Sequence, residues 1–494
     1  MAEADIREDR LRKLDMLKEA GMDPYPSTVG RDYTLAEAAE RFDALAGDGA
    51  TISLAGRIMA RRGQGGIMFA DLYDGSSTLT TGGTGKFQAV FQKESMDEAL
   101  FSLFADASDT GDWIGVTGTL FTTKRGEKSL QVSSWRMASK SLIPIPDQWY
   151  GLKDEEKILR ERYLDILLNT DVRDMFVRRA KFWATIRQFY LDRGFLEVET
   201  PVLENSPGGA DARPFITHHN ALDMDVYLRI SCGELWQKRL LVAGYPKVFE
   251  IGRIFRNEGQ SREHLQDYTQ VESYEAFNDM RGGQRFMQDM YRTIVKEVYG
   301  TYTFEINGHQ VDFAAQWPEV DFCTVIRERF GVDPLNCNEE EAIQAVRDGD
   351  IQVGEELNLA RAVDHLWKVI RKGISGPAFL VNVPVYLEPL AKRSAGDPRT
   401  VERFQILIAG SEMGKGFSEL NDPQDQYGRF AEQQAMREAG DDEAQRLDLE
   451  YVRALEYGMP PAFGLGISER LFSFLENRPA HEAQMFPLLR PKEQ

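Results

Sequence analysis

The sequence predicts an α+β protein in which a small β-barrel near the N-terminus precedes a larger sheet flanked by helices. Five short runs rich in β-forming residues follow one another between residues 51 and 137, separated by glycine-rich turns. Strand-like runs then return in two groups, at 195-277 and at 378-470. Most helical runs lie between these groups instead of alternating with single strands, which favours a mixed fold over a doubly wound one.

The N-terminal region, residues 1-48, is predicted to be a helical extension. In residues 3-20, apolar side chains recur at helical spacing up to Leu17, before a glycine that acts as a stop signal. A second, shorter helix is expected near 34-45. The five strand-like runs that follow predict a barrel domain at 49-145, and the oligonucleotide-binding (OB) barrel is the commonest barrel of five strands.

A proline-punctuated linker at 142-151 leads into the larger domain, residues 146-494. Within this domain, the range of about 318-375 is predicted to be a mainly helical insertion. The helices expected from apolar period and charge lie at 153-194, 281-300, 338-372 and 423-439.

The composition excludes a disordered chain, a collagen and a membrane-embedded protein. Apolar residues make up 42% of the sequence, and stretches such as 379-387 fall far short of the ~18 residues that a membrane-spanning helix needs. The N-terminus is charged from the start and does not resemble a signal peptide. Cys232, Cys323 and Cys337 offer no CxxC pair, so we expect reduced thiols and a cytoplasmic protein.

The charge is unevenly distributed along the chain. The formal net charge is −20, which by itself argues against a nucleic-acid partner. Residues 50-145, however, hold ten Lys and Arg against nine Asp and Glu, so the negative excess lies outside the barrel. A polyanion would therefore be steered toward the barrel.

The first candidate site is a pair of strands joined by the charged loop 256-267. On the second strand, side chains two residues apart share a face, which brings together Tyr268, Gln270, Glu272 and Tyr274. The pattern alone leaves two interpretations open. This face is either open to water, or it forms the floor of a ligand site whose carboxylate meets a cation, because burial without partners would be costly.

Two further polar clusters lie nearer the C-terminus. Segment 411-426 offers Glu412 and Glu419 next to glycines that permit a close approach, although acidic loops are often only solvated. In 463-475, two glycines precede Arg470, which could meet a phosphate; the start of a helix is the alternative. No P-loop, HExxH or GxSxG motif and no Cys/His nucleophile pair stands out.

Together these segments resemble the motifs of class II aminoacyl-tRNA synthetases, and of their lysine-specific family in particular. GFLEVETPVL (194-203) is similar to motif 1, VFEIGRIFRNEG (248-259) to motif 2 and GLGISERLF (464-472) to motif 3. PGGADARPF, GELWQKRL and GFSELNDPQDQ resemble the lysine-specific family rather than its aspartate or asparagine relatives. The resemblance implies an antiparallel catalytic sheet, an OB-fold anticodon-binding domain and a homodimer with Pro201 at its interface.

The activity that the resemblance implies is lysine–tRNA ligation: ATP activates lysine to lysyl-adenylate, and lysine then passes to the 3′ end of a tRNA. Because the attacking carboxylate is already ionised, the site must align the reactants and neutralise phosphate charge. The implied catalytic residues are Arg256 and Arg470, and Mg²⁺ would bridge the phosphates with Glu412 as its protein ligand. The implied ATP-binding residues are Arg256, Glu258, His264, Tyr268, Glu412 and Arg470.

For lysine, the resemblance implies a pocket of carboxylates, which rejects neutral analogues because they would leave buried charge unpaired. The implied lysine-binding residues are Gly209, Glu234, Glu272, Tyr274 and Glu419. In the barrel, Phe69 and Gln88 match residues that stack on and hydrogen-bond an anticodon base, with Arg61 and Arg62 as neighbouring cations. Without the resemblance, Phe69 would be interpreted as ordinary barrel core.

Four features depart from the family pattern. Gln405 stands where the family usually has a second magnesium-binding Glu, and Lys415 replaces the Asn expected four residues before Glu419. A cation at position 415 could lower the affinity for lysine unless it pairs elsewhere. Motif 3 is one residue shorter before its arginine than the common form, and Ser134 replaces an anticodon-contacting Glu.

Three alternatives remain open. An aspartate- or asparagine-type synthetase would need a cation, not carboxylates, at the side-chain end of the pocket. A ligase that attaches lysine to a protein is expected to lack the barrel. A non-catalytic RNA-binding paralogue would bind ATP without forming an adenylate, and the retention of Arg256, Glu258 and Arg470 argues against it.

Overall fold

The protein forms two compact units, described here from a computed structural model. The first unit ends at Val177 and also includes residues 488–491, and the second runs from Arg178 to Pro487. Residues 154–177 thus belong to the first unit, although they were predicted to be part of the larger domain. The domain boundary at 145/146 stays a prediction. Part of the expected linker 142-151 lies outside the described residues. These residues are 3–77, 85–146, 154–210, 212–259, 261–353, 357–438 and 444–491.

The first unit contains a five-stranded barrel. Before it lie helices α1 (Glu3–Glu19), α2 (Leu35–Glu40) and α3 (Phe42–Gly47). The barrel elements are β1 (Thr51–Gln64), β2 (Ile67–Tyr73), β3 (Lys86–Gln92), α4 (Glu98–Ala107), β4 (Trp113–Thr122) and β5 (Lys128–Ser139). The strands close in the order β1-β2-β3-β5-β4, in which β3 and β5 are parallel and the other neighbours are antiparallel. The predicted five-stranded barrel is confirmed.

Alternation of side chains explains the barrel. Along β2, Met68, Ala70 and Leu72 are buried, while the residues between them lie on the outer face. Helix α4 adds Phe104 to the same core, where its ring stacks on that of Phe91 with 3.7 Å between the centroids. After the barrel come α5 (Glu155–Arg160), α6 (Arg162–Leu168) and α7 (Thr170–Leu191), and the unit boundary falls within α7.

The second unit is built on an eight-stranded sheet. Its strands, with those of two smaller sheets, are β6 (Leu196–Glu197), β7 (Leu203–Glu204), β8 (Ile216–His219), β9 (Met224–Leu228), β10 (Lys247–Phe255), β11 (Asp267–Ala276), β12 (Thr303–Ile306), β13 (His309–Asp312), β14 (Glu319–Asp321), β15 (Ala378–Val381), β16 (Arg403–Ile408), β17 (Ser411–Ser418) and β18 (Ala462–Ser468). The order in the large sheet is β14-β15-β16-β17-β18-β11-β10-β6. Only its two outermost pairs are parallel. The predicted α+β class with an antiparallel central sheet is confirmed.

Helices pack against this sheet. They are α8 (Glu234–Val242), α9 (Met280–Tyr299), α10 (Phe322–Phe330), α11 (Glu339–Asp348), α12 (Leu359–Arg371), α13 (Pro423–Glu438), α14 (Leu449–Glu456) and α15 (Arg470–Leu475), with a short 3-10 turn at Val385–Leu387. Helix α8 contacts β10 and β11, and α9 contacts β16, β17 and β18. The range 318-375, predicted to be mainly helical, holds β14 and α10 to α12. None of the described helices is both long and apolar enough to cross a bilayer.

Two rows of register partners cross the middle of the large sheet and shape its surface. The first row, from β11 through β18 and β17 to β16, is Glu272, Gly466, Lys415 and Gln405. The second row, over the same strands, is Tyr274, Gly464, Phe417 and Arg403. Because glycine has no side chain, neither row has a side chain above β18. A trough therefore runs along that strand. On the other side of β18, Phe463 packs against Gly283 of α9.

Candidate active site

Apart from Glu419, the predicted site residues of the larger domain line three cavities of the second unit. The central cavity, of about 310 Å³ along the trough, is lined by Gly209, Glu234, Arg256, Glu272, Tyr274, Glu388, Lys415, Gly464 and Gly466. The small cavity, of about 130 Å³, is lined by Arg256, Glu258, His264, Tyr268 and Arg470. The large cavity, of about 390 Å³, is lined by Glu388, Arg403, Gln405, Glu412 and Lys415. Arg256 therefore borders both the central and the small cavity, and Lys415 borders both the central and the large cavity.

Strand β11 presents its predicted polar face to these cavities. Tyr268 lines the small cavity, and Gln270, Glu272 and Tyr274 line the central one. Glu272 and Tyr274 are buried. This face thus lies inside the protein with a cavity above it, and not on a sheet surface open to water.

Hydrogen-bond donors surround Glu272. Cys232 N donates to Glu272 Oε1 at 2.9 Å, Gln270 Nε2 donates to the same oxygen at 2.6 Å, and the Tyr274 hydroxyl donates to Oε2 at 3.3 Å. Burial is nonetheless the largest influence and, together with the charge of Glu234, raises the pKa of Glu272 to about 8. In the absence of a bound cation, Glu272 is therefore largely protonated at neutral pH.

A lysine of the protein itself lies between two of the predicted lysine-binding carboxylates. Lys238 Nζ is 2.7 Å from Glu234 Oε1 and 2.6 Å from Glu419 Oε2, and all three side chains are almost fully buried. Burial lowers the pKa of Lys238, but the two carboxylates outweigh this effect and hold the pKa above its ordinary value. The charged ammonium therefore fixes Glu234 and Glu419 relative to each other.

Glu419 is buried next to Gly464 and Tyr274, which line the central cavity. Among the described residues, its Oε1 has no hydrogen-bond donor. A Cβ at Gly464 would lie only 2.1 Å from this oxygen, so glycine is required where β18 passes the carboxylate. Burial raises the pKa of Glu419 to about 8, against the opposing effect of Lys238. A buried carboxylate oxygen without a donor beside a cavity is suited to an ammonium group.

The small cavity brings the predicted nucleotide-binding residues together. The Arg256 guanidinium lies over the Tyr268 ring, 5.8 Å from its centroid, and Arg256 Nε donates to the carbonyl of Ile230 at 3.2 Å. Arg470 Nη1 is 3.3 Å from His264 Nε2. Burial and the charge of Arg470 lower the pKa of His264, so the ring is neutral at neutral pH. The two arginine side chains suit the phosphates of a nucleotide, and the aromatic ring suits its base.

Glu412 stands on the wall of the large cavity. Its Oε1 accepts a hydrogen bond from Trp367 Nε1 at 2.7 Å, and its backbone carbonyl accepts one from Arg470. Burial raises the pKa of Glu412, but the Trp367 hydrogen bond and the charges of Arg371, Arg403 and Arg470 outweigh it and lower the pKa. The result is an ionised carboxylate, a hard oxygen ligand of the kind that Mg²⁺ prefers.

Protein side chains alone do not build a metal site here. In the part of the chain that the structure describes, no three His, Cys, Asp or Glu side chains come together as metal ligands. Gln405, at the expected second ligand position, offers a neutral amide whose oxygen already accepts a hydrogen bond from Arg403. Of the two expected ligands, Glu412 fits Mg²⁺ shared with phosphate oxygens, and Gln405 does not.

The other departures within this unit leave the central cavity intact. Lys415 Nζ is 2.7 Å from Glu388 Oε2, so its charge is paired with Glu388 and not with one of the predicted lysine-binding carboxylates. The shorter motif 3 keeps Gly464 and Gly466 in register with β11. The trough therefore persists although the motif has lost a residue.

On the barrel, three of the predicted anticodon-binding residues share an outer face. Phe69 is half-buried there, and the Arg62 guanidinium lies over its ring, 5.6 Å from the centroid. Arg62 also pairs with Asp71 at 2.9 Å, and Asp71 is the register partner of Gln88. Phe69 is thus on the outside of the barrel and not in its core.

Arg61 is turned away from that face. Its terminal nitrogens donate to the carbonyls of Ala105 and Ser108 at the end of α4, and its guanidinium lies over the Phe104 ring. The structure therefore does not bring Arg61 together with the other three residues; its cation stabilises the C-terminal end of α4 instead. Ser134 is exposed on β5.

Comparisons with known proteins identify the families to which the two parts of the chain belong. Residues 154–490 match the family of class II tRNA synthetases (D, K and N), and residues 52–138 match the OB-fold nucleic acid binding domain. The lysine–tRNA ligases of Roseiflexus sp. (strain RS-1) and Thermotoga maritima are 42% and 40% identical to this chain. Both comparisons cover 99% of the chain, and they cover 99% and 96% of the two relatives. The chain belongs to the class II lysine–tRNA ligases. The predicted family and enzyme class are confirmed.

The motifs of lysine–tRNA ligases did not lead to every residue of the site. Lys238 follows Glu234 by four residues in GELWQK, and this spacing places both on one face of α8. The sequence therefore contains a local signal for the contact between Lys238 and Glu234. Trp367 and Glu388 contact Glu412 and Lys415 from distant parts of the chain. For these two residues the sequence holds no local signal.

The raised pKa values of Glu272 and Glu419 predict that the affinity for lysine depends on pH. A bound ammonium requires ionised carboxylates, whereas the empty site holds protons below a pH of about 8. Affinity should therefore rise as the pH increases from about 6 to about 8, by up to roughly tenfold per pH unit for each proton released. Titration calorimetry in buffers of different ionisation enthalpy measures the affinity and the protons released.

The matched control for this titration is Glu275→Gln. Glu275 lies on the other face of β11, where it pairs with Lys247 at 2.6 Å, so its loss should leave the pH dependence unchanged. An affinity that stays constant over this pH range, without proton release, would contradict the assignment.

Proposed function

We propose that the chain activates lysine with ATP at the central cavity and transfers it to the 3′ end of a tRNA. The charge balance of that cavity carries the proposal. When all are ionised, the carboxylates of Glu234, Glu272 and Glu419 and the ammonium of Lys238 sum to two negative charges. Lysine brings two ammonium groups, so the occupied site is balanced, whereas a neutral analogue would leave a buried charge unpaired.

In this proposal, lysine is held at both ends. Arg256 receives its carboxylate, because this guanidinium borders both the central and the small cavity. Glu234 receives the α-ammonium, and Gly209 lies against the substrate backbone. Gly209 has a φ of 86°, and a Cβ there would lie 2.5 Å from Ser231 Oγ, so a side chain has no room. The side-chain ammonium is received by Glu272, Tyr274 and Glu419.

In the same proposal, the base of ATP occupies the small cavity and its phosphates extend toward Glu412 in the large cavity. Tyr268 stacks on the adenine, Glu258 accepts from its amino group, and His264 and Arg470 meet the outer phosphates. Glu412 would hold Mg²⁺ together with phosphate oxygens, and the bound ion would neutralise part of the phosphate charge. The support for Glu412 is its lowered pKa and its fixed position against Trp367.

The reaction requires alignment of the lysine carboxylate with the α-phosphorus rather than a general base. The lysine carboxylate is ionised at neutral pH, and one of its oxygens attacks the α-phosphorus while pyrophosphate leaves. Arg256 is already held against Tyr268 and the carbonyl of Ile230, so little reorganisation is needed as charge develops on the phosphate. In the second step, the terminal ribose hydroxyl of the tRNA attacks the carbonyl carbon of lysyl-adenylate and AMP leaves.

The barrel is proposed to bind the anticodon through its outer face. Phe69 offers a half-buried ring for stacking, Arg62 a cation above that ring, and Gln88 a hydrogen-bonding side chain on the neighbouring strand. Arg61 takes no part in this proposal, because its donors are bound to the end of α4.

We also propose that the protein acts as a homodimer in the cytoplasm, where tRNA and ATP are available. An apolar surface supports the dimer: Ile216 and Leu222 are 62% and 64% exposed, and further apolar side chains of the same segment are exposed as well. These are Leu196, Val202 and Leu203, which flank Pro201. A patch of this kind is typical of a surface that is covered by another chain.

The substitution Glu419→Gln tests the lysine pocket. It leaves Lys238 with one carboxylate and the site one negative charge short, so lysine-dependent ATP–pyrophosphate exchange should fall by about 100-fold or more. ATP binding should change by less than about twofold, because Glu419 does not line the small cavity. Glu275→Gln, on the opposite face of β11, is the control. Equal loss of ATP binding and exchange would indicate a structural role for Glu419.

The substitution Phe69→Ala tests the barrel face. Because stacking on one base is worth about 1–3 kcal/mol, the KM for tRNA in aminoacylation should rise by about tenfold or more. Lysine-dependent pyrophosphate exchange without tRNA should not change. Phe121→Ala removes another half-buried ring, on β4, and should affect neither measurement. The same rise in KM in both variants would reject the assignment of Phe69.

The substitution Ile216→Asp tests the apolar surface. A charge at this exposed apolar position should convert dimers into monomers, which light scattering coupled to size-exclusion chromatography measures as a halved mass. Leu449→Asp, at an exposed apolar residue of α14, should leave the mass unchanged. A wild-type protein that is monomeric at micromolar concentration contradicts the proposed dimer.

A further inference from the structure

The two departures from the family pattern that affect charge, Gln405 and Lys415, belong to one connected cluster. They are register partners on β16 and β17. Glu388 joins them: Arg403 Nε is 2.9 Å from its Oε1, and Lys415 Nζ is 2.7 Å from its Oε2. Arg403 also donates to the amide oxygen of Gln405. We call these four residues the Glu388 cluster.

Within the Glu388 cluster, Gln405 cannot serve as a metal ligand of the usual kind. Its side chain is a neutral amide, and its one oxygen is held by the guanidinium of Arg403. A metal ion at that oxygen would have to displace the guanidinium and lie beside its positive charge. Gln405 and Arg403 therefore prevent a metal ion from binding at the second metal position of the family.

Lys415 brings a different cation to the same place. Its side chain is 41% exposed, whereas those of Glu388 and Arg403 are 7% exposed, so the ammonium stands at the open edge of a buried pair. Lys415 lines both the central and the large cavity. Among the described residues, Glu388 is the one carboxylate within ion-pair distance of Lys415. An ammonium has three donors, so further donors are available to a ligand.

We propose that Lys415 supplies the positive charge that a second metal ion would bring to the phosphates of ATP, so that this chain activates lysine with one metal ion fewer. The proposal rests on the proposed function, because it concerns the same reaction in the same cavities. Glu388 and Arg403 are positioning residues in this arrangement: Glu388 holds the ammonium, and Arg403 holds Glu388 and closes Gln405.

The reaction itself needs such a charge. One oxygen of the lysine carboxylate forms a bond to the α-phosphorus, and the bond from that phosphorus to the bridging oxygen breaks. Pyrophosphate leaves with the electron pair of that bond, so negative charge builds up on it. An ammonium that Glu388 holds where the central cavity meets the large cavity stabilises this charge with little reorganisation of the protein.

The number of bound metal ions tests the proposal directly. Mn²⁺ replaces Mg²⁺ and is counted by electron paramagnetic resonance, with lysine and an ATP analogue that carries a methylene group between the α- and β-phosphorus. The double variant Gln405→Glu/Lys415→Asn should bind one Mn²⁺ more per site than the wild-type protein. Equal numbers in the two proteins would overturn the proposal.

Activity provides the second measurement. Lys415→Asn should lower lysine-dependent ATP–pyrophosphate exchange by about 100-fold, as expected for the loss of one fixed group that stabilises developing charge. Lys415→Arg should retain more activity than Lys415→Asn. The control is Lys368→Asn: Lys368 also lines the large cavity, but it pairs with Asp364 at 2.7 Å, and its loss should change the rate by less than about twofold.

The outcomes separate this proposal from the function on which it rests. A wild-type protein without lysine-dependent exchange would reject the proposed function. Exchange in the wild-type protein with equal effects of Lys415→Asn and Lys368→Asn would reject only the role of Lys415. Because Lys415 is partly exposed and Arg403 remains to pair with Glu388, the variants should fold, which circular dichroism checks.

Discussion

The contact of Lys238 with Glu234 and Glu419 is the interaction on which the rest of the site depends. Three titratable groups are buried together, and removing Lys238 would leave two buried carboxyl groups without their shared cation, at a cost of several kcal/mol. The contact links α8 to the segment that follows β17. Both elements must therefore keep their positions whether or not a substrate is present, and the cavity between them is formed before binding.

The two faces of the large sheet differ at β18: one is packed against a helix, and the other is open and forms the site. On one side of β18, Phe463 packs closely against α9. On the other side, Gly464 and Gly466 leave the trough into which the polar groups of β11 project. The antiparallel pairing holds the two sides in a fixed relation, because a shift by one residue would exchange the packed and the open positions. Rigidity on the packed face thus maintains the space on the open face.

Much of this architecture could be predicted from the sequence, because it rests on local patterns. Five short runs of β formers between glycine-rich turns predicted the barrel, and the period of two along β11 placed Glu272 and Tyr274 on one face. What the patterns could not provide was pairing between distant segments. Whether Lys415 pairs with Glu388 or with one of the predicted lysine-binding carboxylates depends on tertiary packing. Tertiary packing likewise decides that Arg61 binds the end of α4. A residue type with a long, charged side chain can reach several partners, and only the packed structure selects one.

The backbone floor at Gly464 has a consequence for amino acids that carry the same charges as lysine. Ornithine also has two ammonium groups and one carboxylate, so the charge balance of the pocket does not distinguish it from lysine. It is one methylene group shorter, however, and Glu419 is held against Gly464 of a strand that cannot shift without losing its register. If its α-groups are held at Glu234 and Arg256 as proposed, ornithine would stop short of Glu419 and leave Oε1 of that carboxylate without a donor. In the proposed pocket, the carboxylates thus select charge, and the position of the β18 backbone selects length.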